Sequence, residues 1–190
     1  MGNPAFQEAI SVDTYLGEEE VSDVRHEYLG GRVYAMTGAS RAHGLIALNM
    51  AAFLHSRARG SDCQIFVSDM KVRLRIAGDD VFYYPDLVMT CDPGDREPYY
   101  CSAPCLIAEV LSSNSERIDR REKFLAYTSM ASLRAYLVVA QDARRVELFR
   151  SENGWHAEVF TDGVPPLTCL PVQLPLETIY EGLEAGTERS

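Results

Sequence analysis

Residues 105–140 read CLIAEVLSSNSERIDRREKFLAYTSMASLRAYLVVA. CLIAEVL at 105–111 is apolar apart from Glu109, the pattern of a strand covered on both faces. ERIDRREKFLAYTSM at 116–130 has the composition of a helix, and AYLVVA at 135–140 is a second continuous apolar strand. An ionised carboxylate inside such a strand costs several kcal/mol unless it is paired or bound to a metal. Glu109 therefore has two readings: a buried salt bridge, for instance to an arginine of the following helix, or a metal ligand.

Upstream, VFYYPDLVMTC at 81–91 reads as another strand, with Pro85 inside it or at a break. Asp86 follows that proline. Two carboxylates at neighbouring strand positions can converge, and an oxygen-rich site suits Mg²⁺ or Mn²⁺. In QIFVSDMKVRLRI at 64–76, Met70, Val72, Leu74 and Ile76 alternate with Asp69, Lys71, Arg73 and Arg75, which predicts a strand-rich block. Gly78-Asp79-Asp80 predicts the turn that closes it. Two helices are expected earlier, at 11–20 with Ser11 as N-cap and at 42–58 with Ser40 as N-cap. Gly30-Gly31 predicts a tight turn into a strand at 32–37.

Towards the C-terminus, RVELFR and HAEVF bracket Asn153-Gly154, a hairpin signal. LPLETIYEGL starts a short helix with Leu176, Ile179 and Leu183 on one face. The element order predicts a mixed α/β layer architecture in a single domain spanning 1–190. Its core is expected at about 11–183, with flexible tails at 1–10 and 184–190.

The chain has 190 residues, 46% of them hydrophobic and 24% charged, which excludes disorder or coiled coil for most of its length. With 28 acidic and 18 basic side chains the formal charge is −10. That balance argues against a protein that coats nucleic acid non-specifically, because such binding is driven by phosphate neutralisation. No apolar run reaches the ~18 residues a membrane span needs, and the N-terminus shows no signal-peptide pattern, so a cytoplasmic protein is expected. The five cysteines (63, 91, 101, 105 and 169) are then expected to be reduced thiols. Cys101 and Cys105 form a C-x3-C with Cys91 upstream, but no second close pair or histidine stands at zinc-ligand spacing.

YYPD at 83–86, followed by CLIAEVLSSNSERIDRREKFLAY at 105–127, resembles the Uma-type endonucleases of the PD-(D/E)xK nuclease superfamily. RHEYLGGRVYAM (25–36), the helix bearing His43, FVSDMKVRL (66–74), AYLVVAQDARRVELFR (135–150) and the closing LPLETIYEGL extend the resemblance over roughly residues 11–183. It implies a restriction-endonuclease-like fold: a mixed central sheet flanked by helices, here with a C-terminal β-hairpin extension. It also implies a Mg²⁺ or Mn²⁺ site in which Asp86 matches the Asp of the Pro-Asp motif, Glu109 the second acid and Glu27 an early acid completing the metal shell. The superfamily lysine two residues after the acid is Leu111 here, so the pattern is broken. Lys123 or Lys71 would replace it, and the Uma-type pattern favours Lys123.

The implied chemistry is metal-assisted hydrolysis of DNA phosphodiester bonds, with a lysine orienting water or stabilising transition-state charge. The alternatives are a nuclease-fold binding or regulatory module that has lost cleavage, and hydrolysis of another phosphate ester. A homodimer is expected on general grounds. Arg120 and Arg121 belong to a solvated helix face or contact phosphate. Ser112, Ser113 and Ser115 are expected as helix caps rather than nucleophiles. His43 is expected at a surface or interface, with substrate or metal contact as the alternative. His26, His55 and His156 have no ligand spacing. Tyr83, Tyr84, Tyr99 and Tyr100 are expected in packing, with base stacking as the alternative.

Overall fold

A computed structural model describes residues 9–111 and 119–183. Two sheets lie between helices. The larger runs β11-β10-β9-β8-β6-β3, from Glu158–Phe160 (β11), Val146–Arg150 (β10), Ala135–Ala140 (β9), Leu106–Leu111 (β8), Leu87–Thr90 (β6) and Gln64–Val67 (β3). The smaller runs β2-β1-β5-β4-β7, from Arg32–Ala35 (β2), His26–Leu29 (β1), Asp79–Tyr83 (β5), Lys71–Ile76 (β4) and Tyr100–Cys101 (β7). β8 and β9 are parallel, with Glu109 opposite Val138, and β6 pairs antiparallel with β8. Pro166–Leu167 (β12) and Val172–Gln173 (β13) form a separate two-stranded ribbon.

The mixed central sheet that the resemblance implies is the larger of these, and a second, smaller sheet accompanies it; the break between them is local. QIFVSDMKVRLRI divides at Ser68, whose φ is +59°, and VFYYPDLVMTC divides at Pro85-Asp86. A proline cannot donate to a ladder, so β5 cannot run on into β6. The two breaks meet, because the Ser68 N–H donates to the Asp86 carbonyl at 3.1 Å. β3 and β6 pair in one sheet while β4 and β5 pair in the other, and Asp86 sits on the seam where the sheets part. The following turn is Ala77-Gly78, both at positive φ, so Asp79 and Asp80 already belong to β5.

Alternation along the strands sorts the core into layers. Leu87, Met89, Leu106, Ala108, Val110, Leu137 and Val139 face helix α2 (Arg41–Ala58) and helix α4 (Leu176–Ile179). Val88, Ile107, Leu111, Tyr136 and Val138 face the opposite way, onto Val72, Leu74, Val81 and Tyr83 of the smaller sheet. Helix α1 (Val12–Val21) covers that sheet's outer face through Tyr15, Tyr28 and Phe82. Ile10 is tied to this layer, donating to the Gly31 carbonyl at 3.0 Å and accepting from the Tyr28 hydroxyl at 3.0 Å. Ser11 and Ser40 cap α1 and α2 by accepting from the Thr14 and His43 N–H groups.

The helix expected over 116–130 is described from Asp119: a π-helical turn, Asp119–Lys123, leads into α3 (Phe124–Thr128). The caps expected at Ser112, Ser113 and Ser115, the residues 116–118 and the Arg120 side chain lie outside the described residues, as do the chain ends 1–8 and 184–190. The Asn153-Gly154 hairpin forms between β10 and β11 and carries the larger sheet to its edge. Its connection is longer than a two-residue turn, passing through a 3₁₀ turn, Ser151–Asn153, and positive φ at Gly154 and Trp155. Among the described residues no helix is long and apolar enough to cross a membrane.

Candidate active site

Glu109 lies on the face of β8 that looks towards the smaller sheet, between Ile107 and Leu111. Burial of its carboxylate is offset by pairing. Lys123 Nζ donates to Glu109 Oε1 at 3.1 Å, and the Tyr127 hydroxyl donates to the same oxygen at 3.0 Å. Lys123 and Tyr127 are four residues apart, so one helical face serves both bonds. The same ammonium reaches Glu27 Oε1 at 3.1 Å. Glu27 shares its side of β1 with the inward-facing Leu29, while Tyr28 between them points outward. Lys123 also lies over the Tyr83 ring, 5.5 Å from its centroid.

Asp86 joins this group through the backbone. Its Oδ2 accepts from the Val110 N–H at 2.7 Å, which fixes the carboxylate beside the Glu109–Val110 peptide. Its Oδ1 is 2.6 Å from His43 Nε2. The Ser40 cap places His43 in the first turn of α2, aimed at the seam. Ser40 Oγ in turn hydrogen-bonds Gln141 Oε1 at 2.5 Å, tying the start of α2 to the end of β9. Burial, then the negative charges of Glu109 and Glu27, push the Tyr127 phenol well above its ordinary value. It is therefore held as a proton donor to Glu109. Burial followed by Glu27 pushes Tyr83 up to about 12, with Lys123 opposing.

Of the sequence-predicted residues, Glu27, Glu109 and Lys123 touch directly, and Asp86 stands one peptide away. Lys71 does not join them. Val72 and Leu74 face inward, so alternation turns Lys71 to the outer face of the smaller sheet. There its ammonium donates to the Tyr84 hydroxyl at 3.1 Å, which donates to Glu19 Oε1 of α1 at 2.9 Å. Glu19 also receives the His26 N–H at 2.9 Å and lies 3.1 Å from its Nδ1. Burial lowers the Lys71 pKa below the ordinary lysine value.

The surface or interface placement expected for His43 is not what the fold produces; its partner Asp86 is 43 residues away in sequence, and no local pattern announces the pair. Tyr83 and Tyr84 are buried and serve packing and the two polar networks, Tyr100 holds Arg73, and Tyr99 is exposed. Arg121 lies on an exposed helix position.

The thiol expectation is overturned. The Gln64–Thr90 pairing of β3 and β6 brings Cys63 and Cys91 opposite one another, and they are joined as a disulfide. The C-x3-C does not close a site, because Cys101 is buried and donates to Asp95 Oδ2 at 2.8 Å.

Among the described residues no group of three or more His, Cys, Asp or Glu side chains is gathered to hold a metal ion. The donor chemistry nevertheless fits a hard cation. Mg²⁺ is commonly held by one or two carboxylates and keeps several waters, and Asp86 and Glu109 supply two carboxylates on adjoining strands.

A model of the Uma2 family, described as "putative restriction endonuclease", matches residues 12–178. The uncharacterized protein slr1290 of Synechocystis sp. is 34% identical over 145 residues, covering 76% of this chain and 75% of its own length. A second uncharacterized Synechocystis protein, sll1609, is 31% identical over 149 residues, covering 77% and 83%. Among solved structures, a protein of Anabaena variabilis described as a "putative nuclease belonging to DUF820" has the same fold. Its TM-score is 0.69 at 16% identity, covering 90% of this chain and 97% of that one. The seam that carries Asp86 and the buried acid of β8 both fall within the matched residues, and the chain belongs to the Uma2 family of putative restriction endonucleases.

Proposed function

We propose that this protein is a divalent-metal-dependent endonuclease that hydrolyses DNA phosphodiester bonds at the seam between its two sheets. One observation carries the reading: the Lys123 ammonium is shared at 3.1 Å by Glu27 and Glu109, beside an Asp86 carboxylate fixed on the next peptide. Two carboxylates thus share one ammonium with a third fixed on the adjoining peptide, a surplus of negative charge that attracts a cation.

Asp86 and Glu109 would hold Mg²⁺ or Mn²⁺, with Glu27 as a further ligand. The bound ion supplies Lewis-acid polarisation of a phosphoryl oxygen and a more acidic water. Lys123 takes the role of the superfamily lysine. Leu111, at that lysine's usual position, is buried in the apolar layer, while Lys123 arrives from the helix at the acid itself. Its ammonium orients a water or stabilises the extra negative charge of the transition state. His43 holds one Asp86 oxygen and the Val110 N–H the other, so the carboxylate is oriented before substrate arrives. Tyr127 keeps its proton and fixes Glu109. Lys71 serves the α1 side of the smaller sheet and stays out of the chemistry.

Nicking of supercoiled plasmid with Mg²⁺ or Mn²⁺ tests this, comparing wild type with Asp86→Ala and Glu109→Ala. Activity lost in both variants supports the reading; equal residual cleavage in all three shows that it comes from a contaminant. Calorimetric titration with Mn²⁺ should show a single site that Asp86→Ala removes. No binding by the wild type favours a nuclease-fold binding module instead.

A further inference from the structure

Four of the five cysteines converge at the end of the larger sheet away from Asp86. Cys63 precedes β3, Cys91 follows β6 and Cys105 precedes β8; Cys169 lies in the turn between β12 and β13. All four are half-buried against the core under α2. Cys91 Sγ, already bonded to Cys63, lies 3.6 Å from Cys105 Sγ. Cys169 neighbours Cys105 and is influenced by its thiol. A free thiol in van der Waals contact with a disulfide sulfur is what exchange requires. Cys101, buried and tied to Asp95, stands outside the group.

We propose that these four residues form a thiol–disulfide exchange site in which the Cys63–Cys91 bond shifts to Cys91–Cys105. The Cys105 thiolate attacks Cys91 Sγ. The Cys91–Cys105 bond forms as the Cys63–Cys91 bond breaks, and the electron pair leaves on the Cys63 sulfur, which takes up the proton that Cys105 released. No outside oxidant is consumed. The neighbouring Cys105, ahead of burial, raises the Cys169 pKa, so Cys169 keeps its proton while Cys105 acts.

The consequence is topological. Before exchange the covalent staple joins β3 to β6; afterwards it joins β6 to β8. Those are the strand that follows Asp86 and the strand that carries Glu109. The staple lies about 15 Å from the acids, four to five residues at ~3.3 Å each. Exchange therefore fastens the far end of the strand pair without touching the site, and the proposal stands whether or not the chain cuts DNA.

The test uses the full-length protein equilibrated with glutathione disulfide at mildly alkaline pH. It is acid-quenched, blocked with N-ethylmaleimide in denaturant and mapped by mass spectrometry. The wild type should yield both Cys63–Cys91 and Cys91–Cys105 peptides, with Cys101 always free. Cys63→Ser should yield Cys91–Cys105 as its main linkage. A folded Cys63→Ser protein, judged by its melting curve, with Cys91 and Cys105 both free or both carrying glutathione overturns the proposal. A second measurement does not depend on how that variant folds. Under native conditions iodoacetamide should label Cys63 in the wild type at least about tenfold faster than in Cys105→Ser, because only exchange releases the Cys63 thiol. Equal labelling in the two proteins overturns the proposal as well.

Discussion

Lys123 and Lys71 are equally buried, each with 6% of its surface exposed, and each lies near a tyrosine ring and a buried glutamate. A Ser-capped helix serves each region: α2, capped by Ser40, brings His43 to Asp86, and α1, capped by Ser11, carries Glu19. The surroundings differ in charge. Around Lys123, two carboxylates share one ammonium and a third stands on the adjoining peptide. Around Lys71, Glu19 is already satisfied by the His26 N–H and the Tyr84 hydroxyl, and the ammonium meets a phenol oxygen rather than an acid. Burial of a lysine is therefore a poor guide to chemistry. The number of acids brought to it is a better one.

Removing each ammonium sharpens the contrast most. Lys123→Met removes the cation that Glu27 and Glu109 share, and breaking a buried pair in this way costs about 3–5 kcal/mol. Lys71→Met replaces a desolvated cation with a chain of similar volume and leaves Glu19 its other donors, so stability should change by no more than about 1 kcal/mol. Urea midpoints measured at neutral pH give both numbers. Similar losses in the two variants would erase the distinction.

The acids come next. Glu109→Gln keeps the shape but removes the charge, and nicking should fall by about 10²–10³-fold, the scale of losing one transition-state-stabilising group. Glu19→Gln should leave the nicking rate within about twofold, because Glu19 binds α1 to the smaller sheet and lies outside the proposed site. A large loss in Glu19→Gln would move the functional centre to the Lys71 side.

How legible these two regions were in sequence follows from period and distance. The buried strand, the anomaly of Glu109 and the break at Pro85 are local features, and a sequence shows them directly. The outward turn of Lys71 is also local: Val72 and Leu74 alternate with it, so facing away from the core layer is already implied by period two. Asp86–His43, Glu27–Lys123 and Cys63–Cys91 are pairs formed by tertiary placement. Each joins residues on different elements, and nothing in either local stretch specifies the other. The division into two sheets was hidden for a related reason. Residues 64–76 read as one strand-rich block, apolar at 65–67 and alternating from Asp69, and only the contact between Ser68 and Asp86 shows that both chain segments change sheets together.

A smaller effect separates the regions by pH. Burial lowers the Lys71 pKa below 10.5, so between its folded value and 10.5 the unfolded chain holds more protons than the folded one. Unfolding free energy then rises with pH in that window, with a slope of at most ~1.4 kcal/mol per pH unit. The penalty for the buried cation is fully present below the folded pKa and disappears as pH approaches 10.5. Against Lys71→Met, which lacks the group, the wild type should gain stability on alkalinisation, measured as the difference in urea midpoint across that range. A difference that stays flat would mean that burial does not disfavour the Lys71 cation, and one that falls would mean that its surroundings favour it.

The helix caps give the smallest effects and the cleanest separation of stability from function. Ser11 and Ser40 make the same bond, each accepting from the N–H three residues on, at 3.1 Å. Replacing either by alanine should cost about 1 kcal/mol, because one donor at each helix start loses its acceptor. The elements they support lead to different places. α1 carries Tyr15 and Glu19 on the outer face, whereas the first turn of α2 carries His43, which holds Asp86. Ser40 also bonds Gln141 at the end of β9, so its loss frees the start of α2 from two sides. Ser40→Ala should therefore lower the nicking rate several-fold at a temperature where both variants remain folded, and Ser11→Ala should leave it unchanged. Equal rates in the two variants would mean that His43 keeps Asp86 in place without its cap, leaving the Val110 N–H as the contact that sets the carboxylate.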